Sequence, residues 1–284
     1  MTATLTAPDA VTAPPEPIPQ RRHSTLSDVL VFARRNLEHT RQIPEKLLDV
    51  TLQPIMFVLL FAFVFGGAIH VEGGNYREYL IGGILIQSLA FALTGRETAI
   101  SNDLNEGVID RFRSLPSARS AYLSGHVHAE MAGMAVSIGI LLSAGLLVGW
   151  RTHTDPLHVL AAMALLVLFA TAMVVGGTLL GLMVRTPDAV MGIAFTVIFP
   201  LTFISNAFVP IESMPTVLQH FAAWNPISVI TAAVRELFGN PSAPVAVSSW
   251  PIEHPVVAGF AYCFLALAIT IPLCLRRYKA RTTD

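Results

Sequence analysis

Histidine is the residue type best suited to chemistry in this sequence, because its nine copies could ligate a metal, bind haem or move protons. Most of them lie at the ends of long apolar runs or in the segments between the runs. These are His70, His126, His128, His153, His158, His220 and His254. None stands in the middle of an apolar run, where the axial pair of a membrane haem would be needed. The histidine pattern therefore does not indicate a haem protein.

The sequence around His126, His128 and Glu130 comes nearest to a metal site. On a helix, His126 and Glu130 would lie one turn apart on the same face. A metal site and the polar start of a helix at a membrane interface both fit this pattern. We favour the second interpretation and predict no metal site.

The other reactive side chains do not form a catalytic pattern. Cys263 and Cys274 lie eleven residues apart in one apolar run, roughly 16 Å along a helix at 1.5 Å per residue, whereas a disulfide tolerates about 7 Å. The lysines are Lys46 and Lys279 alone, and no G-x-x-x-x-G-K-[ST] sequence occurs, so a phosphate-binding loop of that type is excluded. No Ser–His or His–Glu pair within an apolar run suggests hydrolysis. We predict that the chain is not an enzyme and binds no cofactor itself.

The amino-acid composition indicates which structural elements carry these residues. The chain of 284 residues is 53% hydrophobic and 13% charged, with a mean hydropathy of +0.60, whereas soluble domains carry about 25% charged residues. The apolar residues come in long blocks, which indicates a lipid bilayer as the surroundings. The net charge of −1 says nothing about a nucleic-acid partner, but the absence of a basic cluster interleaved with aromatics argues against one.

Six uncharged runs are long enough to cross a bilayer, which takes about 20 residues. The predicted spans follow these runs approximately and are 50–71, 79–100, 130–150, 157–184, 189–211 and 255–275. The second continues past its uncharged part through Arg96 and Glu97, and the third begins at Glu130. A seventh uncharged run, 213–234, contains Pro215, Asn225 and Pro226, which break helices or are costly in lipid. We predict that this run forms a re-entrant or surface-lying helical hairpin between spans five and six.

The distribution of lysine and arginine supports six spans over seven. With six spans and the amino terminus inside, fifteen of these residues lie on the cytosolic side, and Arg77, Arg151 and Arg235 lie outside. This is a strong positive-inside bias, and a seventh span would place the basic sequence RRYKAR outside. The prediction is an all-α integral membrane protein with both termini in the cytosol and the hairpin on the outer side.

The amino-terminal region precedes the first span. Residues 1–23 are rich in Thr, Ala and Pro and lack the apolar stretch of a signal peptide, so we predict a disordered cytosolic tail. Residues 24–40 show helical spacing of apolar side chains with arginines between them, which is typical of a helix lying at the membrane interface. The predicted transmembrane domain covers 24–284 as one unit.

The polar segment 102–120 between spans two and three is suited to contact with a soluble partner. Gly107 permits a tight turn, and Val108, Ile109 and Phe112 give an apolar face. Such a face fits a groove on another protein, and the alternative is a solvated cytosolic loop. The residues predicted to couple to the partner are Glu106, Gly107, Asp110, Arg111, Phe112 and Arg113.

Aromatic residues at four-residue spacing mark a candidate substrate path. On span five these are Phe195, Phe199 and Phe203, with Asn206 predicted one turn beyond, and span two offers Gln87 and Phe91. An aromatic stripe with sparse amides suits a planar amphiphile held by stacking and few hydrogen bonds. An equal stripe on the first span, Phe57, Phe61 and Phe65, shows that ordinary packing explains such spacing as well.

The outer hairpin offers two interpretations. It could act as an extracellular gate, or it could anchor the protein at the interface, since tryptophan favours that depth. The residues concerned are Pro210, Glu212, Trp224, Asn225 and Pro226.

Two stretches resemble a known family. The sequence EGVIDRFRSLP at 106–116 is similar to the motif that follows the second span of type-2 ATP-binding-cassette export permeases. Residues 199–235 resemble the outer signature of that family, with a Pro after a span, a Met-Pro, a Trp, an Asn-Pro and a closing Arg. Within the family, the chain is most similar to the daunorubicin/doxorubicin-resistance permeases of actinobacterial type.

The resemblance implies a plasma-membrane permease, as a homodimer or paired with a paralogue, docked on two cytosolic ATPase subunits that bind ATP and Mg. It further implies that 102–120 supplies a coupling helix and that the second and fifth spans line the path of alternating access. The implied cargo is a hydrophobic antibiotic or similar amphiphile, with an envelope lipid or glycolipid as the alternative. Outside this family, an ion-coupled secondary carrier and a membrane cofactor enzyme are the competing hypotheses.

Overall fold

The computed structural model describes residues 52, 55–65, 75–95, 121–184, 186–242 and 247–281, which are mainly helical and contain no strand. The helices are α1 (Ile55–Val64), α2 (Tyr76–Gly95), α3 (Ala121–Val148), α4 (Pro156–Met183), α5 (Pro187–Phe203), α6 (Thr216–Trp224), α7 (Pro226–Phe238), α8 (Trp250–Glu253) and α9 (Pro255–Arg281). A π-helical turn, Phe61–Phe65, closes α1, and a short 3₁₀ turn, Ile211–Ser213, precedes α6.

The predicted all-helical class is confirmed for this part of the chain. Within the described residues, three helical stretches are long and apolar enough to cross a membrane: Gly125–Val148, Pro156–Met183 and Pro255–Tyr278. Helices α1 and α5 are shorter and also apolar. The total of six spans stays a prediction. The tail 1–23, the amphipathic segment 24–40 and the polar segment 102–120 lie outside the described residues.

The core forms around α2, which packs against α3, α4, α5 and α7. Leu80, Leu85 and Ile86 have no exposed surface although they point to three different sides of the helix. A helix covered on all sides has no need of a polar face. This burial accounts for the long run without charges in the second predicted span.

The second central helix is α7, which belongs to the run predicted as a hairpin. Eleven of its thirteen residues are buried, and it packs against α2, α4 and α9. It begins at Pro226 directly after the capping residue Asn225 and ends at Gly239, whose φ of 68° suits glycine. A helix that merely lay on the surface would keep one face open, so α7 is inserted among the long helices.

Helix α5 is shorter than its apolar run 189–211, because it ends at Phe203. Ser205 explains this end, since its hydroxyl donates to Thr202 O and accepts from Ala207 N in place of helical bonds. Asn206 therefore lies in an irregular turn, 204–210, and the expectation that it continues the helix one turn beyond Phe203 is wrong.

The loop between α3 and α4 packs at the end of the bundle where the turn 204–210 lies. His153 N donates to Phe238 O over 2.8 Å, and Trp150 Nε1 donates to Asn240 Oδ1 over 2.7 Å. The carboxyl ends of α3 and α7 thus meet the amino end of α4 at one end of the bundle, which we call the hairpin end.

Candidate functional site

Phe195, Phe199 and Phe203 stack along one face of α5. The ring centres of Phe195 and Phe199 lie 5.1 Å apart, and those of Phe199 and Phe203 lie 4.4 Å apart. The three side chains are 50%, 41% and 47% exposed. The four-residue spacing therefore produces a continuous aromatic surface that neighbouring helices of the described chain leave half open.

The aromatic residue predicted on α2 meets this surface. The Phe91 ring lies edge-on to Phe195 with ring centres 5.9 Å apart. Gln87, one turn earlier on α2, is only 5% exposed and lies within the helix packing. The structure thus brings together the two helices that the sequence predicted to share a site, and it buries the amide side chain of that pair.

The stripe on α1 joins the same surface through Phe208, which the sequence analysis did not single out. Phe208 stacks on Phe61 at 4.6 Å and approaches Phe203 at 5.7 Å, while Phe57 stacks on Phe61 at 5.9 Å. We call the chain of rings the aromatic ladder; its members, in order, are Phe57, Phe61, Phe208, Phe203, Phe199, Phe195 and Phe91. No sequence spacing predicts the position of Phe208, because the turn 204–210 alone carries its ring between the two stripes.

The turn 204–210 is held by side chains from distant parts of the chain. Tyr76 Oη donates to Phe208 O over 3.1 Å, and Tyr79 Oη donates to Asn206 O over 2.7 Å. Arg235 donates from Nη1 to Asn206 O and from Nη2 to Ala207 O, both over 2.9 Å. Irregular backbone is tolerated among membrane helices only when its polar groups find partners in the protein, and these donors supply them.

Arg235 is the most unusual side chain of the site, being charged and only 1% exposed. Its Nε donates to Tyr79 O over 2.7 Å, and its guanidinium carbon lies 3.4 Å from the centre of the Tyr79 ring. Among the described residues no carboxylate pairs with it, so backbone carbonyls and a cation–π contact take the place of a counter-ion. We call this group, Arg235 with Tyr79, Asn206 and Ala207, the arginine clamp.

Two glycines of α2 make room for the arginine clamp. A Cβ atom on Gly83 would lie 1.8 Å from Ala207 O, and one on Gly82 would lie 3.0 Å from Arg235 Cγ. The sequence analysis placed Arg235 among the outer basic residues and missed its role. The sequence feature that could have indicated this role is that Arg235 is a single arginine at the end of a run of more than twenty uncharged residues.

Asn225 attaches the start of α7 to the end of α5. Its Nδ2 donates to Leu201 O over 2.6 Å and to Ile204 O over 2.7 Å, while its Oδ1 accepts from Ile227 N. Asn225 is thus a buried cap that satisfies the last carbonyls of a neighbouring helix.

The remaining residues predicted for the outer hairpin are spread around Asn225. Trp224 is 61% exposed, and Glu212 and Pro226 are exposed while Pro210 is half-buried. The hairpin therefore combines an internal attachment at Asn225 with an aromatic side chain on the surface.

Other predicted groups are not among the contacts described above. The coupling residues Glu106, Gly107, Asp110, Arg111, Phe112 and Arg113 lie outside the described residues. Cys263 and Cys274 are buried and form no disulfide. In the part of the chain that the structure describes, no group of three His, Cys, Asp or Glu side chains is arranged to hold a metal ion.

Comparison with known proteins gives a consistent result. A sequence profile described as "ABC-2 type transporter" matches residues 27–238. The chain is 30% identical over 260 residues to the daunorubicin resistance ABC transporter permease protein DrrB1 of Streptomyces coeruleorubidus, covering 91% of this chain and 88% of that protein.

More distant relatives extend the same similarity. The doxorubicin resistance ABC transporter permease protein DrrB of Mycobacterium tuberculosis is 28% identical over 269 residues, or 91% of this chain and 93% of that protein. The inner membrane transport permease YadH of Escherichia coli is 22% identical over 220 residues, or 74% of this chain and 84% of that protein.

Proposed function

This chain belongs to the ABC-2 type transporter family, and from that membership we propose that it serves an exporter that moves a hydrophobic or amphiphilic compound out of the cell. As a member it is a multi-pass integral membrane permease, non-catalytic itself, that works with an ATPase partner. The family resemblance stated from the sequence is thereby confirmed. We propose in addition the direction of transport, the class of compound that is transported and the assembly of the subunits.

The aromatic ladder carries the proposal for the cargo. Phe195, Phe199 and Phe203 present a half-open apolar face with no charged side chain among them. Such a face favours flat aromatic ring systems, which stack with ring centres about 4.5–7 Å apart. Two relatives named for daunorubicin and doxorubicin resistance support a drug-like cargo. In this proposal Phe91 lines the path on α2, the buried Gln87 supports it from within the helix packing, and Asn206 lies at the hairpin end of the path.

The proposed assembly places two permease chains, identical or paralogous, on two cytosolic ATPase subunits that bind ATP and Mg. Six helices cross the plasma membrane, namely α1 to α5 and α9, with both termini in the cytosol. Segment 102–120 docks on the ATPase through the apolar residues Val108, Ile109 and Phe112. The charge asymmetry of the loops supports this orientation, and it makes the hairpin end the outer end.

The outer hairpin forms the outer boundary of the proposed path. Pro210 and Glu212 lie where the chain enters the hairpin, and Asn225 and Pro226 lie at the turn between its two helices. Trp224 faces the lipid headgroups. Exposed tryptophan at the ends of membrane helices is typical of that interface, which supports the anchoring interpretation for this residue.

An envelope lipid is the second candidate cargo, because the structure contains an apolar groove between α1 and α3. The groove has a volume of about 600 Å³, and Val58, Leu59, Val136 and Ile140 are among its lining residues. An acyl chain is the cargo that such an opening toward the bilayer would favour.

The deciding experiment is co-purification of the chain with its cognate ATPase, combined with doxorubicin efflux in the same cells. A stable complex with efflux that stops when the P-loop lysine of the ATPase is replaced supports the drug exporter. A stable complex without efflux favours the lipid. Efflux that follows a proton or sodium gradient without the ATPase would contradict the proposal in favour of a secondary carrier.

A further inference from the structure

Helix α7 is attached to the bundle at both of its ends. At its start, Asn225 donates to two carbonyls of the α5 end, Leu201 O and Ile204 O. Near its end, Arg235 donates to Tyr79 O on α2 and to two carbonyls of the turn 204–210. The hairpin is therefore connected to both helices that carry the proposed path.

Movement of the hairpin by itself would break these attachments together. The guanidinium of Arg235, which is 1% exposed, would lose all three carbonyl partners and the Tyr79 ring. A buried cation deprived of its partners is strongly destabilised. A hairpin that opens independently of α2 and α5 would have to overcome this loss in every transport cycle.

We propose that Arg235 is a positioning residue that makes α7, the turn 204–210 and α2 move as one body during transport. Because α7 also packs on α9, α9 belongs to the same body. Arg235 thereby holds Phe208 at the junction between the two stripes of the aromatic ladder. The inference rests on the export function proposed above and selects a fixed hairpin over a hairpin that opens as a separate gate.

The contact between α7 and α9 offers a direct test. A Cβ atom on Gly259 would lie 3.4 Å from Cβ of Ala233, near the lower end of the roughly 3.5–4.5 Å found in disulfides. The test protein carries Ala233→Cys and Gly259→Cys, with Cys263→Ala and Cys274→Ala to remove the native thiols. Its matched control carries the two alanine replacements alone.

Both proteins are co-expressed with the ATPase and treated in membrane vesicles with copper-phenanthroline, which crosses membranes. Loss of labelling by a maleimide-polyethylene glycol after denaturation measures disulfide formation. Doxorubicin transport is measured before oxidation, after oxidation and after reduction. We expect the crosslinked protein to retain at least half of the transport rate of its reduced form.

Two results would overturn the inference. The first is a crosslinked protein whose transport falls about tenfold or more and recovers on reduction, because only a hairpin that moves against α9 would be blocked. The second is failure of the cysteine pair to crosslink, which would mean that α7 does not rest on α9. If no ATP-dependent transport occurs before oxidation, the export proposal itself fails, so the two failures are distinguishable.

A rescue experiment separates positioning from a role of the Arg235 charge in binding cargo. Arg235→Lys keeps the charge and loses the fork of donors, and Tyr79→Phe is the milder variant if the lysine protein does not fold. We expect either change to slow transport and the Ala233–Gly259 crosslink to restore at least half of the loss. A crosslink that forms without restoring transport would contradict a positioning role.

Discussion

The guanidinium carbon of Arg235 lies 3.4 Å above the Tyr79 ring, while Nε of the same arginine donates to the Tyr79 carbonyl over 2.7 Å. One tyrosine thus provides both a π face and a backbone acceptor for a cation that is 1% exposed. Its hydroxyl also donates to Asn206 O, which Arg235 contacts as well. The two side chains therefore depend on each other, and together they fix the turn that carries Phe208.

Replacing Arg235 by lysine should destabilise the protein. Lysine cannot reproduce three hydrogen bonds in a planar fork, and hydrogen bonds to charged groups contribute about 1.5–3 kcal/mol each. We expect a loss of about 2–4 kcal/mol, seen as a lower melting temperature in detergent. Arg151→Lys is the matched control, because Arg151 also donates to backbone carbonyls but is exposed. Equal melting temperatures for the two variants would contradict the importance of the arginine clamp.

Replacing Gly83 by alanine should prevent correct folding. The added Cβ would lie 1.8 Å from Ala207 O, and a backbone atom cannot move away as a flexible side chain can. Gly139→Ala on α3 is the control, since its Cβ would have nothing within 4 Å and alanine favours a helix by up to about 1 kcal/mol. The yield of monodisperse protein is measured for both variants. A normal yield for Gly83→Ala would show that α2 and the turn 204–210 lie farther apart than the structure places them.

Replacing Phe199 by alanine should weaken cargo binding. Phe199 lies between Phe195 and Phe203 in the aromatic ladder, and aromatic pairs contribute about 0.5–1.5 kcal/mol beyond their buried area. We expect KM for doxorubicin efflux to rise about 2- to 10-fold, with little change in the maximal rate. Phe264→Ala on α9, where Phe264 is 59% exposed, removes the same side chain away from the ladder. A similar rise in both variants would point to lipid packing as the common cause.

Replacing Arg111 or Phe112 by alanine should weaken docking of the ATPase. This prediction comes from the apolar face and the position of segment 102–120. We expect less ATPase to co-purify and doxorubicin efflux to fall in parallel. Arg119→Ala lies in the same segment beyond the coupling motif and should leave both unchanged. Unaltered docking and efflux in the Arg111 and Phe112 variants would show that 102–120 is a solvated loop.

Local patterns in the sequence were enough to predict the class of protein and part of the site. Long uncharged runs require helices in lipid, which is why the apolar helices were predictable. The break at Asn225–Pro226 was visible because both residue types end helices. Four-residue spacing predicted the stacked rings of α5, since residues one turn apart share a helix face.

Only the tertiary structure decided how these parts meet. Arg235 contacts Tyr79 across 156 residues of sequence, and Phe208 joins two stripes only because the turn 204–210 folds back onto α1 and α5. No local period encodes such contacts, because they depend on how closely α2, with its glycines, approaches the turn. The sequence by itself determined a helical ABC-2 permease with an aromatic stripe. The sequence alone placed Arg235 among the basic residues of the loops. Only the packing of α7 against α2 and the turn 204–210 shows that it is a buried cation that holds the hairpin in place.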